Sequence, residues 1–175
     1  MTSNPKSPNL NLGESIVVAL GSNVSDGFAS CEALLEAAVA RFPGAGLPIV
    51  ARSDWWRSAA WPDPDGPEYR NAVVLVEATK PPRELLETLF AIERSFGRTR
   101  AVANAARTLD LDLVAHGREV IDAPGLVIPH PRAHERLFVM GPLAQVAPAW
   151  IHPVLGATAA QLAGAATVGL DAAPC

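Results

Sequence analysis

The stretch from Arg107 to Val114, which reads Arg-Thr-Leu-Asp-Leu-Asp-Leu-Val, constrains the possible folds more than any other part of the sequence. Apolar and polar residues alternate along it with a period of two, which is typical of a half-buried β-strand. Its leucines would therefore face a core. Asp110 and Asp112 would share the opposite face of the same strand.

These two aspartates are candidate metal ligands. Two residues along a strand span roughly 6.6 Å, so both carboxylates can converge on one point, where they repel each other unless a cation lies between them. Mg²⁺ prefers such oxygen ligands and commonly takes one or two carboxylates together with substrate phosphates. Arg107 could complete a phosphate site by bidentate contact. On this stretch alone, the solvated face of an edge strand is the alternative interpretation.

Composition limits the class of protein. Of 175 residues, 49% are hydrophobic and 18% are charged, which is typical of one folded domain. We expect that domain at residues 16–163, between a frayed N-terminal extension, residues 1–15, and a flexible tail, residues 164–175. The two cysteines lack metal-ligand spacing and fit a reducing compartment. The sequence contains neither a signal-peptide pattern nor a membrane-spanning apolar run, so we expect a cytoplasmic protein.

The charge is unevenly distributed. A net charge of −4 and a pI near 5.5 argue against a nucleic-acid binder. Nevertheless, four arginines fall in one short segment without an intervening acidic residue, namely Arg94, Arg98, Arg100 and Arg107. A cationic segment on an acidic protein favours a small anionic ligand, and its arginines could neutralise a transferring phosphoryl group. The alternative is a solvated basic loop.

The order of the predicted elements indicates an α+β fold. Apolar runs predict strands at residues 16–20, 47–57, 72–76 and 107–114, and helical spacing predicts helices from Ser25 or Asp26 to Phe42 and from Pro81-Pro82 to Gly97. This β-α-β-β-α-β order predicts a ferredoxin-like sandwich, with helices on one face of an antiparallel sheet. Shorter helices are predicted at residues 138–147 and 158–163.

Two further groups of residues are candidates for ligand binding. Tyr69 and Asn71 share parity across the junction between a loop and the strand predicted at 72–76, where an aromatic ring and an amide could stack on and hydrogen-bond a flat heterocycle. The alternative is that they only cap the strand. His130 lies in the rigid stretch Ile-Pro-His-Pro, and the cationic cluster Arg132, His134 and Arg136 follows it. A lone histidine is more often structural than chemical.

Together these segments resemble the 6-hydroxymethyl-7,8-dihydropterin pyrophosphokinase family. The resemblance rests on Ala-Leu-Gly-Ser-Asn at 19–23, Tyr-Arg-Asn-Ala-Val at 69–73, Glu93 with Gly97-Arg98, Arg-Thr-Leu-Asp-Leu-Asp at 107–112, Ile-Pro-His-Pro at 128–131, and then Arg136, Phe138 and Pro142-Leu143. It covers roughly residues 16–163. The aspartate string followed by Pro-His-Pro is highly specific as a pair, so the resemblance favours the metal site over a solvated strand.

The resemblance implies an enzyme of folate biosynthesis that transfers pyrophosphate from ATP to the hydroxymethyl group of 6-hydroxymethyl-7,8-dihydropterin and releases AMP. It also implies the family's ferredoxin-like fold with additional C-terminal elements, two Mg²⁺ ions, and ATP as co-substrate. The expected partners are these small molecules, with no nucleic acid and no membrane, and the expected state is a monomer.

The resemblance further implies roles for particular residues. Asp110 and Asp112 would bind Mg²⁺, and Arg98 and Arg107 would be catalytic with them. ATP would be bound by Glu93, Arg98, Arg100, Arg107, the backbone near Leu113, His130 and Arg136. The pterin would be bound by Gly21, Ser58, Tyr69, Asn71, Asp110 and Phe138, with its ring between Tyr69 and Phe138 and its edge on Asn71.

One segment departs from the family. Members often carry an aromatic and a further basic residue in the arm that precedes the aspartate strand, whereas residues 101–106 read Ala-Val-Ala-Asn-Ala-Ala. A non-catalytic pterin- or nucleotide-binding paralogue is therefore a second hypothesis, although a pure binder would not need the two aspartates. A third is a two-metal nuclease built on those aspartates, which the acidic net charge disfavours.

Overall fold

The computed structural model describes residues 11–60, 63–97 and 108–175. Its strands are β1 (Ile16–Ser22), β2 (Ile49–Arg52), β3 (Trp56–Ser58), β4 (Tyr69–Val76), β5 (Asp110–His116), β6 (Ile121–Ala123), β7 (Leu126–Ile128) and β8 (Ala173–Pro174). Its α-helices are α1 (Cys31–Val39), α2 (Pro82–Ser95), α3 (Leu137–Val146) and α4 (Ala159–Gly164), with 3₁₀ turns at Pro43–Ala45 and Ala133–Glu135. None of the helices in these ranges is long and apolar enough to cross a membrane.

An antiparallel sheet of six strands forms the centre of this mixed α/β fold. The strand order is β5-β1-β4-β3-β8, and β2 pairs with β4 alongside β3. The strand predicted at 47–57 is therefore two strands. Between them, Ser53 Oγ accepts a hydrogen bond of 3.0 Å from the Val73 backbone N–H, so a side chain takes the place of the backbone partner and the strand is interrupted.

One face of the sheet packs against α1 and α2. Leu109, directly before β5, and Leu111 and Leu113 on β5 lie in this core, so the predicted alternation is confirmed. Leucines of both helices meet them there, namely Leu34 and Leu35 from α1 and Leu85 and Leu89 from α2. Because every second side chain of the central strands is apolar and covered, this face is a continuous hydrophobic core.

The opposite face packs against α3 and α4. Val17, Val73 and Val114 from three adjacent strands meet Met140 and Leu143 of α3. The helix lies close to the sheet because Gly141 has no side chain, and a Cβ there would approach the Trp56 ring to 2.5 Å. Helices thus lie on both faces, whereas the sequence predicts them on one.

Helix α1 begins later than its sequence pattern predicts. The candidate caps Ser25 and Asp26 precede a turn in which Asp26 (φ 42°) and Gly27 (φ 84°) adopt left-handed backbone conformations, which a helix cannot contain. Ser30 is the N-cap instead, and its Oγ accepts a hydrogen bond of 3.1 Å from the Ala33 backbone N–H. Helix α2 follows its prediction, starting at Pro82 and ending before Gly97 (φ 79°).

The sequence predicts a flexible tail at residues 164–175, and in the structure this segment is paired with the rest of the fold. Its strand β8 pairs with β3, and the Leu137 and Cys175 backbone N–H groups make hydrogen bonds of 2.9 Å to Val168 O and Trp55 O. The alanines and glycines of this segment have no periodicity that would predict such pairing. Of the predicted extension 1–15, residues 1–10 lie outside the described residues, and Leu12 packs against the α3 core.

Candidate functional site

A cleft of about 560 Å³ opens on the α3 face of the sheet, where the helix no longer covers the strands. Along β1 and β5, every second residue faces the α3 core, and each series continues into this cleft. On β1, Ala19 and Gly21 follow Val17, and on β5, Asp110 and Asp112 precede Val114. Its lining contains Gly21, Asn23, Ser58, Ala59, Ala60, Asp63, Tyr69, Asn71, Asp110, Asp112, Arg132, Arg136, Phe138 and Val168.

The floor of the cleft is a row of residues across three strands. Asp110 pairs with Gly21, and Gly21 pairs with Asn71. A Cβ at Gly21 would come within 3.5 Å of Asn71 Oδ1 and 3.9 Å of the Tyr69 ring. The missing side chain therefore leaves the floor open between the carboxylate of Asp110 and the amide of Asn71.

The amide of Asn71 is buried and fixed. Asn71 is 5% exposed and Ser58 is 3% exposed. Asn71 Nδ2 donates a hydrogen bond of 2.9 Å to Ser58 Oγ, so the carbonyl Oδ1 is on the Gly21 side. A buried amide held in one orientation presents a defined acceptor to a ligand, whereas a freely rotating one would not.

Aromatic and cationic side chains form the walls. Tyr69 and Phe138 both line the cleft, and the Arg136 guanidinium carbon lies 5.8 Å from the centroid of the Phe138 ring. Arg132 joins Arg136 in the lining. The cleft can therefore receive a flat ring next to an anionic group, since aromatic faces stack on heterocycles and guanidinium groups bind phosphates.

Asp110 and Asp112 are positioned by the edge strand β5. The buried Glu93 of α2, 2% exposed, accepts a hydrogen bond of 2.8 Å from the Leu111 backbone N–H, between the two aspartates. Within the described ranges, no group of three or more His, Cys, Asp or Glu side chains could hold a metal ion. Two adjacent carboxylates nevertheless fit Mg²⁺, which takes its other ligands from water and phosphates.

His130 lies beside this site without lining the cleft. Its backbone N–H donates a hydrogen bond of 2.8 Å to Val114 O, and its Nδ1 accepts one of 3.2 Å from the Arg132 N–H. Burial lowers the pKa of His130, and the charge of Arg136 acts in the same direction, against the opposite effect of Asp110. The neutral imidazole is therefore favoured here.

The structure brings most of the predicted site residues together. Those that line the cleft are Gly21, Ser58, Tyr69, Asn71, Asp110, Asp112, Arg136 and Phe138. Glu93 and the Leu113 side chain are buried in the α1/α2 half of the molecule, so Glu93 supports β5 from behind the cleft. The predictions for Arg98, Arg100 and Arg107 fall on residues outside the described ranges.

The sequence assigns no ligand role to several residues of the lining, among them Arg132 and Val168. Arg132 belongs to the cationic cluster that the sequence indicates, but no ligand role follows from the pattern. Val168 lies in the segment expected to be a tail, and its parallel bridge to Arg136 brings it to the cleft. An isolated valine between alanine, threonine and glycine gives no signal of such a position.

The chain is similar to known proteins over most of its length. A family model described as 7,8-dihydro-6-hydroxymethylpterin-pyrophosphokinase (HPPK) matches residues 17–148. The 2-amino-4-hydroxy-6-hydroxymethyldihydropteridine pyrophosphokinase of Synechocystis sp. is 41% identical over 147 residues, 83% of this chain and 73% of that protein. The protein of the same name from Bacillus subtilis is 38% identical over 74% of this chain and 75% of its own length.

Among solved structures, the Plasmodium falciparum HPPK-DHPS wild type superimposes with a TM-score of 0.65 at 12% sequence identity. The match covers 86% of this chain but 44% of that one, so the chain spans less than half of HPPK-DHPS. At this identity, the likeness concerns the fold alone.

Proposed function

The chain belongs to the 7,8-dihydro-6-hydroxymethylpterin-pyrophosphokinase family and transfers pyrophosphate from ATP to 6-hydroxymethyl-7,8-dihydropterin in folate biosynthesis, and we propose that this reaction takes place in the cleft on the α3 face. The observation that carries the proposal is the composition of the cleft. Its lining combines two carboxylates and two guanidinium groups with two aromatic rings and a fixed amide.

The pterin is proposed to lie between the two aromatic rings. Tyr69 and Phe138 hold the ring between them, and Asn71 hydrogen-bonds its edge through the Oδ1 atom that Ser58 leaves available on the Gly21 side. Gly21 allows the ring to reach the floor of the cleft. Because Asp110 pairs with Gly21 across the sheet, a ring in this position has its hydroxymethyl group toward the carboxylates.

ATP is proposed to lie with its phosphates beside the carboxylates and the guanidinium groups. Asp110 and Asp112 would hold Mg²⁺, with two ions expected, and Mg²⁺ neutralises phosphate charge and polarises the reacting phosphoryl group when bound. Arg132 and Arg136 supply fixed positive charge next to the phosphates. The predicted contacts of Arg98, Arg100, Arg107 and His130 with the nucleotide are part of this proposal.

The chain's own groups act by positioning and by electrostatics. The hydroxymethyl oxygen of the pterin attacks the β-phosphorus, and the bond to the oxygen that bridges the α- and β-phosphates breaks, so AMP leaves. The aromatic walls fix the hydroxyl in line with that bond, and the guanidinium groups stabilise charge on the transferring group. No covalent intermediate with the protein is required.

Three finer features belong to the same proposal. The sheet corresponds to a ferredoxin-like βαββαβ arrangement if β2 and β3 are counted as one interrupted strand, since both pair with β4. The two cysteines are unpaired, which supports a reducing cytoplasmic location. The third feature is a monomeric state, as the family resemblance implies.

The test is the formation of AMP from ATP with and without 6-hydroxymethyl-7,8-dihydropterin. We expect AMP and pterin pyrophosphate in equal amounts, and we expect removal of Mg²⁺ with EDTA to lower the rate by about a thousandfold or more. Formation of ADP, or an AMP rate independent of the pterin, would contradict the proposal. Binding of both ligands without AMP would favour a non-catalytic paralogue.

A further inference from the structure

The segment 164–175 follows the region that the family model matches, which ends at residue 148. Three of its residues, Val168, Gly169 and Asp171, line the cleft or contact residues of its lining. Val168 lines the cleft, and its carbonyl accepts a hydrogen bond of 2.9 Å from the Leu137 N–H at the start of α3. The segment is therefore tied to the residue that precedes Phe138.

Gly169 lies directly against the Phe138 ring. A Cβ at this glycine would come within 3.0 Å of Phe138 Cε1 and would overlap Cδ1. The ring can therefore occupy its position only because residue 169 has no side chain. The backbone φ of 67° at Gly169 also favours glycine, so a substitution there has two effects that must be separated.

Asp171 contacts the backbone of Ala59, which also lines the cleft. Its Oδ2 accepts a hydrogen bond of 2.5 Å from the Ala59 backbone N–H, directly after Ser58, the residue that fixes Asn71. Two residues later, β8 pairs Ala173 with Arg57 and Pro174 with Trp56 on β3. The segment 164–175 thus contacts strand β3, which carries Ser58, and helix α3, which carries Phe138.

We propose that residues 168–171 position the pterin site, with Gly169 setting the place of the Phe138 ring and Asp171 setting the place of the Ser58–Ala59 backbone. The inference rests on the proposed location of the pterin between Tyr69 and Phe138. Gly169 and Asp171 are positioning residues, because they act through Phe138 and Ser58 and not on the reacting atoms. They reach the nucleotide site only indirectly, through the contact of the Phe138 ring with Arg136.

The experiment compares Gly169→Ala with Gly156→Ala. Gly156 has the same φ of 67° but nothing within 4 Å of its Cβ position, so it reproduces the backbone strain without the contact to Phe138. We expect Gly169→Ala to raise the KM and Kd for the pterin by roughly tenfold, since small misplacements of a ligand contact are costly. The KM for ATP should rise much less than that for the pterin, since only the contact of Phe138 with Arg136 connects the substitution to the nucleotide, and Gly156→Ala should leave both constants unchanged.

A second pair keeps the inference testable if Gly169→Ala does not fold. Asp171→Ala removes the acceptor for the Ala59 N–H, whereas Asp171→Asn retains an oxygen acceptor. We expect Asp171→Ala to weaken pterin binding selectively and Asp171→Asn to restore most of it. A merely structural segment would instead lower the melting temperature and affect both substrates equally, and that result would overturn the inference.

Phe138→Ala distinguishes failure of this inference from failure of the proposed pterin location. If Phe138→Ala weakens pterin binding and neither Gly169→Ala nor Asp171→Ala does, the inference alone is wrong. If Phe138→Ala leaves pterin binding unchanged, both the location and the inference are wrong. In the Phe138→Ala background, Gly169→Ala should have no further effect on pterin binding, since the two substitutions act through one ring.

Discussion

The two faces of the central sheet use the same strands differently. On one face, α1 and α2 cover the strands, and the side chains there form an apolar core. On the other, α3 and α4 cover only part of the strands, and the uncovered part is the cleft. Leu111 and Asp112 are neighbours in sequence, but they lie on opposite faces, so the period of the strand separates stability from chemistry within β5.

The largest effect is expected from a substitution of Asp112, on the cleft side of β5. Asp112→Asn keeps the size of the side chain but removes a charge from the cleft, so we expect kcat to fall by about a thousandfold, the effect of losing roughly 4 kcal/mol of metal-assisted stabilisation. The free energy of unfolding should stay close to that of the wild type. Activity within a few-fold of the wild type would show that the carboxylate does not belong to the reaction.

Leu111→Ala tests the opposite face of the same strand. Leu111 is 2% exposed in the α1/α2 core, and its truncation leaves a cavity, so we expect a loss of about 3 kcal/mol in the free energy of unfolding measured with urea. Below the melting transition, the folded variant should retain kcat. A loss of activity as large as that of Asp112→Asn would mean that the two faces are not separable.

The smallest expected effect is a pH dependence of the free energy of unfolding, caused by His152 in the packed part of the α3 face. Burial lowers the pKa of His152, and the neighbouring His134 adds to this. His152 Nδ1 accepts hydrogen bonds of 3.2 Å and 3.1 Å from the Val154 and Leu155 N–H groups, which protonation would break. Below a pH of about 6.5, the unfolded chain protonates this histidine before the folded protein does, so stability should fall with falling pH.

His152→Asn is the matched variant for this pH dependence. Asparagine keeps an acceptor oxygen near the position of Nδ1 but does not titrate. Urea unfolding between about pH 7.5 and pH 5.5 should therefore give a shallower loss of stability in the variant than in the wild type. Equal slopes would assign the pH dependence to other groups.

The features that the sequence predicts well are those imposed by burial on a regular element. The alternation around Asp110 and Asp112 identifies both the strand and the side on which the carboxylates lie, because a strand with one covered face must repeat every two residues. The same holds for α2, whose leucines and flanking Pro82 and Gly97 mark its extent. The placement of Tyr69 and Phe138 in one site is predicted less directly. The two residues are far apart in sequence, and only the family resemblance indicates that they bind the same ligand.

The features that the sequence does not predict depend on single contacts between distant segments. The break between β2 and β3 depends on the Ser53 side chain, and the start of α1 on the backbone of Asp26 and Gly27. The position of segment 164–175 depends on backbone pairing with β3 and on one carboxylate, Asp171. None of these contacts produces a periodic pattern, so composition predicts a tail where the structure has part of the cleft.

The most direct test of the central claim is a crystal structure of the protein with Mg²⁺, 6-hydroxymethyl-7,8-dihydropterin and an ATP analogue that carries a methylene group between the α- and β-phosphates. The analogue cannot release AMP, so both ligands stay in place. The account predicts the pterin ring between Tyr69 and Phe138 and Mg²⁺ on Asp110 and Asp112, all on the α3 face. A pterin ring bound away from Phe138, or phosphates bound away from the two aspartates, would contradict it.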